Sequence, residues 1–153
     1  MYSDDILDKM LGIKSDHRLR EIDRVCFFTE PRDREVNLEI MDYLIRADVT
    51  FSLKLHPLED SQFYRDRYPD VEIIDDLDDA LESAICLSRK STVLVEAAQR
   101  ARHSIAVLVN RKDKFYVEEL FPSLSSEKIT RASDFEELTK ILRLIRAGEY
   151  SGT

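Results

Sequence analysis

The sequence predicts an α/β protein built on a doubly wound parallel sheet of about six strands with helices on both faces. Three observations carry this. Strand and helix signals alternate along the chain with little between them. Residues 104–109 form a continuous apolar run, the pattern of a strand buried on both faces of a parallel sheet. Leu94, Ala97, Ala98 and Ala101 recur on one face of an intervening helical stretch, as a helix packed on such a sheet requires.

The elements follow in order. Residues 24–30 are an apolar run ending in polar residues and read as the first strand. Val36, Ile40, Met41, Leu44 and Ile45 then recur at helical spacing behind Asp33, an expected N-cap. Residues 50–56 alternate, with Phe51, Leu53 and Leu55 on one face and Ser52, Lys54 and His56 on the other; Pro57 ends this second strand. A short helix over 60–67, a strand over 71–74 and a helical turn or two over 77–83 come next. Residues 85–88 form a fourth strand, and 91–101 a helix whose Glu96 and Arg100 make a favourable i,i+4 pair. After the fifth strand at 104–109, a helix over 112–120 stops before Pro122. Residues 128–131 are a short sixth strand. Ser133-Asp134-Phe135-Glu136 is a capping box opening a last helix that carries Leu138, Ile141, Leu142 and Ile145. The expected strand order is 3-2-1-4-5-6, and ligands of such sheets sit outside the carboxyl ends of the strands, near the switch between the two halves.

The 153 residues suit one domain that buries a full core without disulfides or a structural metal. The domain spans residues 24–147. Residues 1–23 read as a short amphipathic helix (Ile6, Leu7, Met10, Leu11, closed by Gly12) and a polar linker, and 148–153 as a tail. A net charge of −8 argues against a general nucleic-acid grip, although a few local donors can still hold one phosphate. Cys26 and Cys86 lie in apolar runs and are expected to be buried, reduced thiols; their spacing suits no zinc site. No apolar run approaches a membrane span, the first residues are acidic rather than signal-like, and the expected location is cytoplasmic. No cofactor or metal is called for: three glycines in the whole chain make no glycine-rich phosphate loop.

Two spots concentrate the chemistry. His56 falls at the carboxyl end of the second strand, on the face of Lys54, where Pro57 forces the chain out of the sheet. An imidazole there either donates to a phosphate oxygen or simply faces solvent. At Ser88-Arg89-Lys90-Ser91-Thr92 a strand ends and a helix opens on two adjacent hydroxyls. Such a point is receptive to an anion, and the same hydroxyls also serve as plain N-caps. With strands two and four flanking strand one, Thr29 and Glu30 lie between these spots, and the layout is that of a phosphate or pyrophosphate pocket. Glu96 either reaches the cleft or stays in its solvated pair with Arg100. The acidic run Asp75, Asp76, Asp78 and Asp79 reads as a solvated loop and helix start, and His17 and His103 as surface positions.

These residues resemble the nucleotide-binding half of two-domain (GT-B) glycosyltransferases. The resemblance is carried by Lys54-Leu55-His56-Pro57, by Ser91-Thr92 with the following Glu96-Ala97, and by Phe28-Thr29-Glu30-Pro31 as first strand and loop. By motif it is nearest to bacterial capsule-type transferases, the polysialyltransferases and CDP-glycerol glycerophosphotransferases, and it covers residues 24–146. It implies a Rossmann-like fold and donor-nucleotide contacts from Thr29, Lys54, His56, Pro57, Ser88, Ser91, Thr92 and Glu96. One departure is Ala101-Arg102-His103-Ser104, where related enzymes often carry a Gly and then a Pro.

In enzymes of that shape the catalytic base and acceptor site come from another domain. The resemblance therefore implies a fragment, a C-terminal domain or one subunit of a split transferase that binds a nucleotide or nucleotide-sugar and turns over nothing alone. Its uncovered cleft face would favour weak self-association. A competing expectation is a non-catalytic, flavodoxin-like interaction or regulatory module. A phosphoacceptor receiver domain is disfavoured because the strand ends carry Glu30, His56 and Ser88 rather than an acidic cluster. An epimerase-like enzyme of the same two-domain shape would also lack its other half.

Overall fold

A computed structural model describes residues 24–100, 102–120 and 128–146. The helix and linker expected over 1–23, with His17, and the tail from 148 lie outside the described residues, as do Ala101 and Pro122.

Strands β1 (Val25–Phe28), β2 (Ser52–Lys54), β3 (Glu72–Ile73), β4 (Ile85–Ser88), β5 (His103–Val107) and β6 (Ile129–Ala132) form one six-stranded sheet. Its order is β3-β2-β1-β4-β5-β6, and every pairing is parallel. Helices α1 (Arg34–Arg46), α2 (Ser61–Arg67), α3 (Leu77–Leu81), α4 (Val93–Gln99), α5 (Arg111–Phe115) and α6 (Phe135–Arg146) fill the crossovers and follow the last strand. The fold is therefore the doubly wound, Rossmann-like α/β sheet that the alternation predicts. Among the described residues no helix is long and apolar enough to cross a membrane.

The strand pleat divides the core. Val25 and Phe27 of β1, Ile85 and Leu87 of β4 and Ile105 and Val107 of β5 face one side, where α1, α2 and α6 supply Ile40, Met41, Leu44, Tyr64, Leu138 and Ile141. Cys26, Phe28 and Cys86 face the other, against Ala80 and Leu81 of α3 and Ala97 of α4; Ala106 meets Leu94 and Val117 on the same side. β1 is buried along its whole length because it is central and covered twice.

Local differences from the sequence pattern have physical causes. Asp33 precedes α1 but its side chain caps nothing; it adopts a left-handed backbone (φ 53°), which Asp tolerates better than most residues. Both the Arg32 and Asp33 carbonyls accept from the Arg89 guanidinium, and the turn presents them to it. Ladder pairing of β2 ends at Lys54, short of the expected 56, as the chain bends toward Pro57. Helix α4 begins at Val93, after the Ser91-Thr92 pair. The helix expected over 112–120 is α-helical only to Phe115 and then widens into a π turn, Tyr116–Leu120. At α6 the box is displaced by one residue: Asp134 caps the Glu137 N–H, and the Glu137 carboxylate accepts from Ser133 N–H, each at 2.7 Å. His103, expected at the surface, opens β5 and is half-buried, and burial lowers its pKa.

Candidate functional site

The carboxyl ends of β1, β2 and β4 converge on a pocket of about 290 Å³. Phe28 and Thr29 come from β1, Lys54 to Pro57 from β2, and Ser91, Thr92, Val93 and Glu96 from the start of α4, with Leu77 closing one side. Seven of the eight residues singled out in the sequence thus share one wall-to-wall cavity; Ser88 alone does not line it. The Ser88 side chain is fully buried and its hydroxyl has no partner among the described residues.

Each group arrives in a defined state. His56 Nδ1 accepts the Leu58 N–H at 3.1 Å, in the turn that Pro57 creates. In the neutral tautomer this leaves the ring proton on Nε2, which makes no hydrogen bond among the described residues. The Thr29 hydroxyl donates to the Glu59 carboxylate and accepts from His56 N–H at 3.2 Å, so it braces the histidine loop. Lys54 Nζ donates to the Leu55 carbonyl at 3.3 Å. Of the two hydroxyls before α4, Ser91 Oγ accepts the Val93 N–H at 3.2 Å and acts as the cap. Thr92 makes no side-chain cap bond. Glu96 lines the pocket and also pairs with Arg100 at 3.4 Å, an arginine that is shared with Asp78 at 2.9 Å. Both expectations for Glu96 hold in part. Asp76 of the acidic run caps α3 through Asp79 N–H. Among the described residues no group of three His, Cys, Asp or Glu side chains is placed to hold a metal ion.

A buried polar network around Arg89 carries little signal in the sequence. Arg89 is fully buried and its guanidinium grips Asp113 through Nε at 2.6 Å and Nη2 at 3.1 Å. Its Nη1 donates to Arg32 O at 2.8 Å and to Asn37 Oδ1 at 3.1 Å. Lys90 reaches the same Asp113 at 3.1 Å. Asn37, on α1, donates to the Glu30 carbonyl at 2.7 Å, and Tyr64 donates to Glu59 at 2.7 Å. Burial and the adjacent Glu59 push the Tyr64 phenol up, so it stays a donor. The sole advance signal was position: Arg89 follows the apolar run of β4 directly, and its carboxylate partner stands 24 residues on.

A larger cleft, about 510 Å³, opens at the opposite, amino-terminal edge of the sheet between Arg24, Phe51, Glu72 and Arg146. Two of its charged groups are engaged within the fold: Arg24 donates to Ser83 at 2.8 Å and Glu72 accepts from Ser52 at 2.9 Å. The carboxyl-edge pocket has the free donors and the loops of a doubly wound sheet's binding edge. Comparison of the chain with protein-family models, curated proteins and solved structures finds no match.

Proposed function

We propose that this domain binds the phosphates of a nucleotide or nucleotide-sugar of the CMP, CDP or UDP type, as the donor-binding half of a two-domain glycosyltransferase of polysaccharide biosynthesis. The observation that supports this most is the convergence of donors from separate strand ends on one pocket: His56 Nε2–H, the Lys54 ammonium and the Thr92 hydroxyl. These are charge and hydrogen-bond donors of the kind that hold phosphate oxygens. The step from phosphate to nucleotide-sugar rests on the resemblance carried by His56-Pro57 and Ser91-Thr92.

Pocket size bears on the partner. At about 290 Å³ the cavity falls just below the usual span of ligand sites, roughly 300–1,000 Å³. It suits a diphosphate, while base and sugar would extend past its rim. A second domain or subunit would close over them and bring the acceptor and the base; the domain alone is inactive. His56 is then a donor to phosphate and not a general base.

The alternative is an interaction or regulatory module, favoured by the apolar rim: Leu58 is 79% exposed and Leu77 45% exposed beside the pocket. Titration of CMP, CDP and UDP against the chain and against His56→Ala separates the two. The donor-domain reading expects millimolar or tighter binding that weakens at least about tenfold in the variant, a loss of about 1.4 kcal/mol. Absence of binding, or equal binding by the variant, refutes it and leaves the module.

A further inference from the structure

Asn37 is fully buried on α1, and its carboxamide is bonded at both ends. Its Oδ1 accepts from Arg89 Nη1 at 3.1 Å and from the Glu30 N–H at 3.3 Å. Its Nδ2 donates to the Glu30 carbonyl at 2.7 Å, to the Tyr64 hydroxyl at 3.2 Å and to Glu59 Oε1 at 3.4 Å. Tyr64 in turn donates to Glu59 Oε1 at 2.7 Å, so the amide reaches Glu59 both directly and through the phenol. These partners fix the orientation of the amide, because a guanidinium only donates and a carboxylate only accepts.

Each end leads to a different wall of the carboxyl-edge pocket. From Nδ2 the bonds run through Glu59 to the Thr29 hydroxyl, which lines the pocket and accepts the N–H of His56, another lining residue. From Oδ1 they run to Arg89, two residues before Ser91 and three before Thr92, both of which line the pocket. Asn37 itself does not line it. We propose that Asn37 is a positioning residue of this pocket: its carboxamide sets the spacing between the His56 wall and the Ser91-Thr92 wall, so that donors from both meet one ligand. This rests on the phosphate reading of the pocket.

An amide suits the place because one short side chain offers an acceptor to Arg89 and donors to Glu59 and Tyr64. Asn37→Asp keeps the acceptor and the shape, so the Arg89 arm stays. It removes the donors and sets a second carboxylate against Glu59, so the other arm breaks. Glu59→Gln breaks the same arm from its far end, by turning an amide donor toward the donors of Asn37 and Tyr64. Both changes together restore a donor–acceptor pair with the roles reversed, while the oxygen of the introduced amide still accepts from Thr29. Hydrogen bonds weaken steeply as their donors leave the line to the acceptor. A displaced His56 wall therefore weakens binding although no group that touches the ligand has changed.

The test is titration of CDP against the full chain, the two single variants, the double variant and Leu142→Ala, a buried α6 residue outside this network that controls for lost stability. Urea unfolding sets a temperature at which the variants compared are folded. Each single variant should bind CDP at least about tenfold more weakly than the unaltered chain. The double variant should bind at least about threefold more tightly than the weaker single, where independent losses would multiply. Leu142→Ala should bind as the unaltered chain does. In Asn37→Asp the backbone amide resonances of His56 and Glu59 should shift while that of Thr92 holds. In the unaltered chain the carboxamide protons of Asn37 should exchange slowly with solvent, a readout independent of any variant's folding. Unchanged CDP binding by the single variants, an equal loss in Leu142→Ala, losses that multiply in the double variant, or rapid exchange of the Asn37 carboxamide overturns the proposal and leaves the phosphate pocket standing. Failure of CDP to bind the unaltered chain overturns both.

Discussion

Replacing Asp113 by Ala removes the carboxylate that neutralises a guanidinium with no exposed surface. Arg89 loses its Nε and Nη2 bonds, at 2.6 and 3.1 Å, and keeps only the neutral acceptors on Nη1 and the distant Asp33 carboxylate at 4.0 Å. Two charge-assisted bonds at about 1.5–3 kcal/mol each suggest a loss of about 3–6 kcal/mol, in line with the roughly 3–5 kcal/mol for breaking a buried ion pair. A domain of this size holds about 5–15 kcal/mol in total and changes its Tm by about 2–4 °C per kcal/mol. The expected fall in Tm is therefore about 6–24 °C, nearly independent of salt because the pair is shielded from solvent. Urea unfolding and calorimetry measure it. The double variant Arg89→Met with Asp113→Leu removes both charges and should be less destabilised than Asp113→Ala. A loss below about 1 kcal/mol for Asp113→Ala, or a double variant less stable than the single, would refute the role assigned to the buried charge.

Two further outcomes are expected. Burial pushes the Cys86 thiol up to about 12 and Cys26 higher still, so neither should react with a thiol reagent at about pH 8, where a free cysteine is substantially ionised; both should react once urea unfolds the chain, and rapid labelling of the native protein would contradict the burial. Asp48 closes α1 with a left-handed backbone (φ 61°) and an exposed side chain. Asp48→Gly should raise stability by about 0.5–1 kcal/mol in urea unfolding, since glycine carries no Cβ penalty there; a loss would show that the aspartate side chain contributes more than the strain.

The alternation of β and α signals was enough to reach the sheet and its strand order, because the central strands are buried on both faces and the longer helices show one apolar stripe. The pocket wall was legible for a related reason. His56, Ser91 and Thr92 sit where strands end, and in a parallel sheet all strand ends meet on one edge. What stayed hidden depends on long-range pairing. Nothing local marks Arg89 as buried, since its neighbours Lys90 and Ser91 are partly exposed and its partners lie on α1, in the loop before it and on α5. Nor does spacing foretell that Thr29 is spoken for by Glu59, or that Ser88 turns inward. Cap details such as the shift from Ser133 to Asp134 turn on one residue of helix phase, which periodicity does not resolve.

The tie from Glu59 to Thr29, Tyr64 and Asn37 has a thermodynamic consequence for whatever enters the pocket. The loop after β2 is spanned at both ends, by Thr29 holding His56 N–H and by Glu59 three residues later. A loop held this way has already lost its conformational entropy during folding, so an arriving ligand does not have to order it. Even a small anion with few contacts can then retain most of the free energy of those contacts as affinity.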